Sequence, residues 1–262
     1  MKNLWKNLDK VINILKINEI KILMLDFDGT LTPIVKHPEE AKLSLQVKKM
    51  LSCLSKKRGF YLGIISGRRL EDIKGKIDLP NLIYAGNHGL EGEICKRKYS
   101  FTPTKEYLKC LDRIKDELEE IAHKFNGAFI EDNQVLLSFH YRNVSSKKIL
   151  SLNSSLNKLF KSYKESGLIS VVNGKKVYSI RPNSEWDKGY FLNLVIEKIK
   201  KKTKAVPIAL YLGDDTTDED VFEKLNKGIT IKVGKNSNTQ AKYYLKDTKE
   251  TLKFLEVVNI EV

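Results

Sequence analysis

Short, wholly apolar runs set between amphipathic stretches constrain this chain most. Residues 22–25, 60–65, 82–85 and 208–212 contain no charged side chain. A strand without a polar side must be buried on both faces, which suits a parallel sheet covered by helices. The intervening stretches supply those helices. Leu4, Leu8, Val11, Ile12 and Leu15 recur at helical spacing near the N-terminus. Leu45, Val47, Leu51 and Leu54 make the inner stripe of a helix over 44–57, and another helical stretch begins at Arg68. Phe191, Leu194, Val195 and Ile199 line a helix over 188–204. Strands alternating with helices predict a doubly wound, mostly parallel α/β sheet of Rossmann-like type.

The middle of the chain follows a different rhythm. A strongly charged helical stretch over 106–125 precedes strand-like segments at 128–130 and 135–141. A second helix near 145–166 is followed by strand-like stretches at 169–172 and 176–180. The order αββαββ predicts a compact inserted α+β module of about 75 residues. The core domain is therefore expected over 1–105 and 181–262, with a cap domain over 106–180.

Charge narrows the function. The chain carries 47 basic and 33 acidic side chains, a net charge of +14. Forty of the basic residues are Lys and seven are Arg, whereas bidentate reading of phosphate and guanine favours Arg. The densest run, 198–204, closes a helix, where cations complement the dipole. A solvated lysine surface is expected, with no nucleic-acid partner. No run approaches the ~18 uncharged apolar residues of a membrane span. Lys2, Lys6 and Lys10 interrupt the N-terminal apolar residues, so no secretory signal is expected. The three cysteines, Cys53, Cys95 and Cys110, are odd in number and lack metal-ligand spacing, which fits a reducing cytoplasm.

Four segments carry chemistry. Asp26-Phe27-Asp28-Gly29-Thr30 directly follows the first buried strand, where open parallel sheets bind ligands. Acids at i and i+2 on extended backbone point the same way, and Gly29 lets the chain turn around them. Ser66-Gly67-Arg68 places a hydroxyl at a second strand end; taken alone it reads as an ordinary helix cap. Asp187-Lys188-Gly189 puts a lysine at a helix start. Gly213-Asp214-Asp215-Thr216-Thr217-Asp218-Glu219-Asp220 places five acids in seven residues after a buried strand. Asp218, Glu219 and Asp220 suit a helix N-terminus, with Asp218 as its cap. Asp214 and Asp215 precede that helix and would repel Asp26 and Asp28 unless a cation sat among them.

The order Asp-x-Asp-Gly-Thr, Ser, Lys, Gly-Asp-Asp resembles the four motifs of the haloacid dehalogenase superfamily. Within it, residues 65–68, 85–91, 140–142, 181–182 and 213–220 resemble the trehalose-6-phosphate phosphatases. That resemblance implies a phosphoric monoester hydrolase with Asp26 as nucleophile and Asp28 as acid and base. It implies Mg²⁺ held by Asp26, the Asp28 carbonyl and Asp214, with Asp215 and Asp218 secondary. Ser66 would donate to the phosphoryl group and Lys188 would neutralise it. Arg68, Asn87, His88 and Glu91, together with Glu131 and Arg142 of the cap, would contact substrate. The implied substrate is a small sugar phosphate, most naturally trehalose 6-phosphate, handled by a cytoplasmic monomer. Sucrose phosphate or mannosylglycerate phosphate hydrolysis, or phosphomutase chemistry, are the enzymatic alternatives; a basic nucleic-acid-binding protein on an inactive scaffold is the other class. Two positions depart from the family pattern: Asn133 stands where Lys is common, and Ser179 where Glu is common.

Overall fold

The computed structural model describes residues 1–235 and 238–262, which fall into two units: Met1–Ser100 with Trp186–Val262, and Phe101–Glu185. The first segment holds β1 (Lys2–Asn3), α1 (Leu8–Ile17), β2 (Lys21–Leu25), α2 (Leu45–Ser55), β3 (Phe60–Ile65), α3 (Leu70–Ile77), β4 (Ile83–Gly86), β5 (Glu91–Ile94) and β6 (Arg97–Ser100). The inserted unit holds α4 (Lys105–Lys124), β7 (Phe129–Asp132), β8 (Leu137–His140), α5 (Ile149–Lys164), β9 (Ile169–Gly174) and β10 (Val177–Pro182). The chain then continues through α6 (Lys188–Thr203), β11 (Ile208–Gly213), α7 (Glu219–Lys224), β12 (Ile229–Val233), β13 (Tyr243–Leu245) and α8 (Thr248–Glu261).

The first unit is the doubly wound sheet that the apolar runs predict. Its strand order is β1-β13-β12-β11-β2-β3-β4-β5-β6 among the described residues. Pairing is parallel from β1 through β4 and antiparallel for β5 and β6. Alternation along each strand divides the core. Leu23, Leu25, Leu62, Ile64, Leu210 and Leu212 pack on one face with Val11, Leu51, Leu54, Ile73 and Phe254 of α1, α2, α3 and α8. Ile22, Met24, Ile65, Ala209 and Tyr211 pack on the other with Phe191, Val195 and Ile199 of α6 and Phe222 of α7. Each such fully buried aliphatic side chain contributes ~1.5–3 kcal/mol through surface removed from water.

Two local outcomes differ from the expectation. The N-terminal stretch is not all helix: Lys2–Asn3 pairs with β13, and a 3-10 turn at Trp5–Asn7 precedes α1. Leu4 is fully buried there, so the chain enters through the sheet. The hairpin β5–β6 shows no apolar run because it forms the sheet edge, where exposed charges such as Arg97 and Lys98 discourage further pairing.

The second unit realises the order αββαββ. Its antiparallel sheet runs β7-β8-β10-β9. Leu137, Phe139, Tyr178 and Ile180 face Leu111, Ile114 and Leu118 of α4 and Leu152, Leu156 and Phe160 of α5. The register places Glu131 opposite Ser138 and Ser138 opposite Ser179, on the face away from those helices. Asn133 extends that row, since its N–H donates to the Leu136 carbonyl and continues the β7–β8 ladder. No helix among the described residues is long and apolar enough to cross a membrane.

Candidate active site

Strand register decides which loops meet. Leu25 at the end of β2 pairs with Leu212 of β11 on one side and Ile64 of β3 on the other. Ile65 in turn pairs with Ala85 of β4. The residues leaving these strands, Asp26, Asp214, Ser66 and Asn87, therefore emerge at one edge of the sheet, beside the strand where the connections reverse direction. The Asp26 N–H donates to the Leu212 carbonyl at 2.9 Å, which pins the loop as it leaves the sheet.

Two glycines let the acids converge. Gly29 has φ +86°, and a Cβ there would fall 2.1 Å from Asp214 Oδ2. At Gly213 a Cβ would lie 2.2 Å from Asp218 Cγ. Any side chain at either position would push the carboxylates apart.

At the centre is a buried charge hub. Lys188 Nζ donates to Asp26 Oδ1 and to Asp218 Oδ1, each at 2.8 Å. Lys188 and Asp218 are 2% and 0% exposed, and Asp26 5%. Asp218 Oδ1 also accepts the Tyr211 hydroxyl at 2.6 Å, while Oδ2 accepts the N–H groups of Asp214 and Asp215 at 2.8 Å each. Burial opposes charge on Lys188, yet Asp218 and Asp26 together hold its pKa above the ordinary range. Burial likewise works against the Asp218 carboxylate, but Lys188, Tyr211 and the backbone donors outweigh it and hold its pKa low. Asp26 goes the other way: burial, with Asp218 and Asp214 nearby, pushes its pKa well up despite Lys188.

The donor set suits a cation. Asp26, Asp214 and Asp218 each present an oxygen, all within 4.8 Å of one another. Since Asp218 is already fully hydrogen-bonded, Asp26 and Asp214 are the carboxylates left for a cation. A single lysine among three buried carboxylates leaves excess negative charge, and a hard divalent ion bound by oxygens relieves it. The resemblance grouped Asp28 and Asp215 with Asp26 and Asp214, whereas the clustered oxygens belong to Asp26, Asp214 and Asp218. Asp215 turns to cap the 3-10 turn Thr216–Asp218, accepting the Asp218 N–H. Asp218, which the sequence suits to a helix cap, points inward; its side chain makes no cap hydrogen bond to α7.

Asp28 lies beside Arg68. Arg68 Nε and Nη2 grip its two carboxylate oxygens at 2.7 and 2.8 Å, a fork-to-fork pair. The same guanidinium donates to Asp72 at 3.0 Å and to the Pro38 carbonyl at 2.6 Å, and stacks 5.4 Å from the Phe27 ring centre. The arginine expected to meet substrate is thus placed against Asp28. Ser66, 1% exposed, accepts the Arg68 N–H through Oγ at 3.2 Å. That bond leaves the Ser66 hydroxyl proton able to donate elsewhere.

Asn87 and His88 stand in left-handed backbone, φ 50° and 56°, ahead of Gly89 at φ +93°. Such conformations cost of order 1–3 kcal/mol each in non-glycine residues and gather at functional sites. Asn87 Nδ2 and the Leu70 N–H both donate to Glu91 Oε1, at 2.8 and 2.9 Å. His88 lies against Gly67, where a Cβ would fall 2.6 Å from its ring. Ser66, Arg68, Asn87, His88 and Glu91 therefore form one cluster beyond β3 and β4.

In the inserted unit, Glu131 Oε2 lies 3.0 Å from His140 Nε2, and His140 stacks on Phe129 with ring centres 4.6 Å apart. Arg142 is directed elsewhere and donates to the Lys175 carbonyl at 2.7 Å. Asn133 is 2% exposed, and neither end of its amide has a hydrogen-bond partner among the described residues.

Sequence reasoning missed Tyr211 and His140 as site residues. Tyr211 sits in an apolar strand and reads as core. The usable signal was the residue type, because a buried tyrosine hydroxyl requires a partner that Phe would not.

A doubly wound sheet whose strand ends gather acids around a buried lysine defines a phosphohydrolase of the haloacid dehalogenase superfamily. Residues 24–249 match the family model described as trehalose-phosphatase. The chain is 31% identical to trehalose-phosphate phosphatase B of Arabidopsis thaliana over 261 residues, covering 95% of this chain and 68% of that protein. It is 33% identical to a probable trehalose-phosphate phosphatase 4 of Oryza sativa subsp. japonica over 247 residues, covering 89% of this chain and 64% of that one. It thus spans about two thirds of the length of these curated relatives. Among solved structures, the C-terminal domain of a C. albicans trehalose-6-phosphate phosphatase superposes with a TM-score of 0.88 at 24% identity, over 98% of each chain. A trehalose-6-phosphate phosphatase related protein gives 0.74 at 25% identity, over 92% of this chain and 97% of that one. The chain belongs to the trehalose-phosphatase family and is a phosphatase.

Proposed function

We propose that this chain hydrolyses trehalose 6-phosphate to trehalose and inorganic phosphate through an aspartyl-phosphate at Asp26. The observation that carries this reading is the buried hub of Asp26 after β2, Lys188 at the start of α6 and Asp218 in the turn after β11, in a chain that matches the family over residues 24–249. Asp26 Oδ attacks phosphorus while Lys188 neutralises charge on the attacking group and the phosphoryl oxygens. Asp28 gives a proton to the departing sugar oxygen and takes one from water in the second step. The Ser66 hydroxyl donates to a phosphoryl oxygen. Asp26, Asp214 and the Asp28 carbonyl would hold Mg²⁺, which would supply Lewis-acid charge neutralisation. Asp215 supports this loop through its turn.

The Asn87, His88 and Glu91 cluster is read as contacting sugar hydroxyls. In the inserted unit, taken as a cap over 106–180, Glu131 is read as a contact for the glycosyl part, while Arg142 is held by the Lys175 carbonyl. Three free thiols fit action in a reducing cytoplasm, as a monomer acting on a small molecule. Phosphate release from a panel of trehalose 6-phosphate, sucrose phosphate, mannosylglycerate phosphate and hexose phosphates tests the assignment. Trehalose 6-phosphate should have a kcat/KM at least ~10-fold above the others, about 1.4 kcal/mol of discrimination. Equal turnover across the panel would remove the disaccharide assignment.

A further inference from the structure

Asp218 is more completely satisfied than any carboxylate around it requires. A carboxylate offers about four lone-pair positions on its two oxygens. All four are filled from within the protein, by Lys188 and Tyr211 on Oδ1 and by the N–H groups of Asp214 and Asp215 on Oδ2. Two of these donors are fixed backbone, so Oδ2 is a pivot that cannot move without opening the turn at Thr216–Asp218. Oδ1 has no backbone anchor. It is held by a lysine on a flexible four-carbon stem and by one phenol.

The phenol is the rigid partner. Tyr211 is fully buried in β11, edge-on to Phe222 with ring centres 5.9 Å apart, and its neighbours in that face are apolar. Packing alone asks for an aromatic ring there, which Phe would supply. The hydroxyl adds a single directed bond of 2.6 Å into the hub. Burial, reinforced by the nearby charges of Asp218 and Asp26, pushes its pKa well above the ordinary tyrosine value. Lys188 has three N–H donors, and the two bonds to Asp26 and Asp218 fix where the third points.

We propose that Tyr211 is a positioning residue for phosphoryl transfer: its hydroxyl fixes Asp218 Oδ1, and Asp218 in turn aims Lys188 at Asp26 and the incoming phosphoryl group. The proposal rests on the reading of Asp26 as nucleophile. Tyr211 acts through Asp218, the one group its hydroxyl is seen to meet.

Tyr211→Phe is the test, read four ways. The melting temperature should stay within a few degrees of wild type, because the ring is retained. KM and the Mg²⁺ affinity measured by calorimetry should be unchanged, while kcat falls about 10-fold, the loss of one tenfold unit of transition-state stabilisation. On an Asp218→Asn background the same substitution should cost nothing further, since its effect runs through that carboxylate. Beryllofluoride binding to Asp26, followed by fluorine NMR, should weaken about 10-fold. This arm needs no sugar, so it still tests Tyr211 if no sugar phosphate is turned over. A lowered melting temperature with unchanged kcat and beryllofluoride affinity would assign Tyr211 a merely structural role and overturn the proposal. Should the Phe variant not fold, mono-, di- and trifluorotyrosine placed at 211 keep the ring while varying hydroxyl acidity. A graded kcat across that series supports the proposal, and an identical kcat overturns it.

Discussion

The charge hub of the first unit and the sheet face of the second handle buried polar groups differently. In the charge hub, Lys188 bridges Asp26 and Asp218, and Asp218 has every acceptor position filled. On the sheet face of the inserted unit, Asn133 is buried with both ends of its amide unpartnered, close in sequence to Glu131 and its His140 contact. A hub that must stabilise developing charge has to be rigid before substrate arrives, because preorganised groups do not reorganise during reaction. A surface that discriminates between ligands gains from leaving groups unsatisfied until the right one binds, since a wrong ligand then leaves them unpaired. The contrast separates reaction from selection, and it can be attacked from either side.

The largest effect should come from the hub. Asp26→Asn replaces the attacking carboxylate with an amide, and turnover should fall ~10⁴-fold or more with the fold intact by circular dichroism. Residual turnover within tenfold of wild type would end the covalent reading. Removing divalent metal with a chelator should abolish phosphate release, and added Mg²⁺ should restore it and raise the melting temperature by mass action. Lys188→Met leaves two buried carboxylates without their cation and should destabilise the protein by about 3–5 kcal/mol in denaturant melts. An unchanged midpoint would mean that the hub does not depend on charge balance.

The inserted unit should respond differently. Glu131→Gln or His140→Ala should raise KM about 10-fold and leave kcat within threefold, because these groups lie outside the reacting atoms. A fall in kcat with KM unchanged would place them in the chemistry instead. The smallest effect is expected at Asn133→Ala. Removing an unpartnered buried amide should leave stability within about 1 kcal/mol of wild type, or raise it, while KM increases. Loss of several kcal/mol on that substitution would show that the amide is structural.

The parts of this molecule that the sequence displays are those governed by local pattern. Apolar runs such as 60–65 and 208–212 expose the buried strands because nothing polar is tolerated on either face. Asp26, Asp214 and Lys188 are legible because carboxylates and a lysine beside buried strands have few alternatives. What stays hidden depends on partners far along the chain. The strand β12 carries Thr230 and Lys232, which break its apolar run; Lys232 is buried only because the Asp215 carbonyl and Glu219 receive its ammonium. Asp218 suits a helix cap by position and turns inward only because Lys188 and Tyr211 wait there. Arg68 suggests a substrate contact until Asp28 and Asp72 are seen to enclose it.

The bond between Lys188 and Asp26 spans 162 residues. During synthesis Asp26 thus leaves the ribosome with β2 and must wait for the whole inserted unit before Lys188 appears, and longer still for Asp214 and Asp218. The inserted unit has a hydrophobic core of its own. A nascent chain halted before α6 would carry Asp26 without the lysine that meets it. The hub is therefore completed only after the inserted unit has been made.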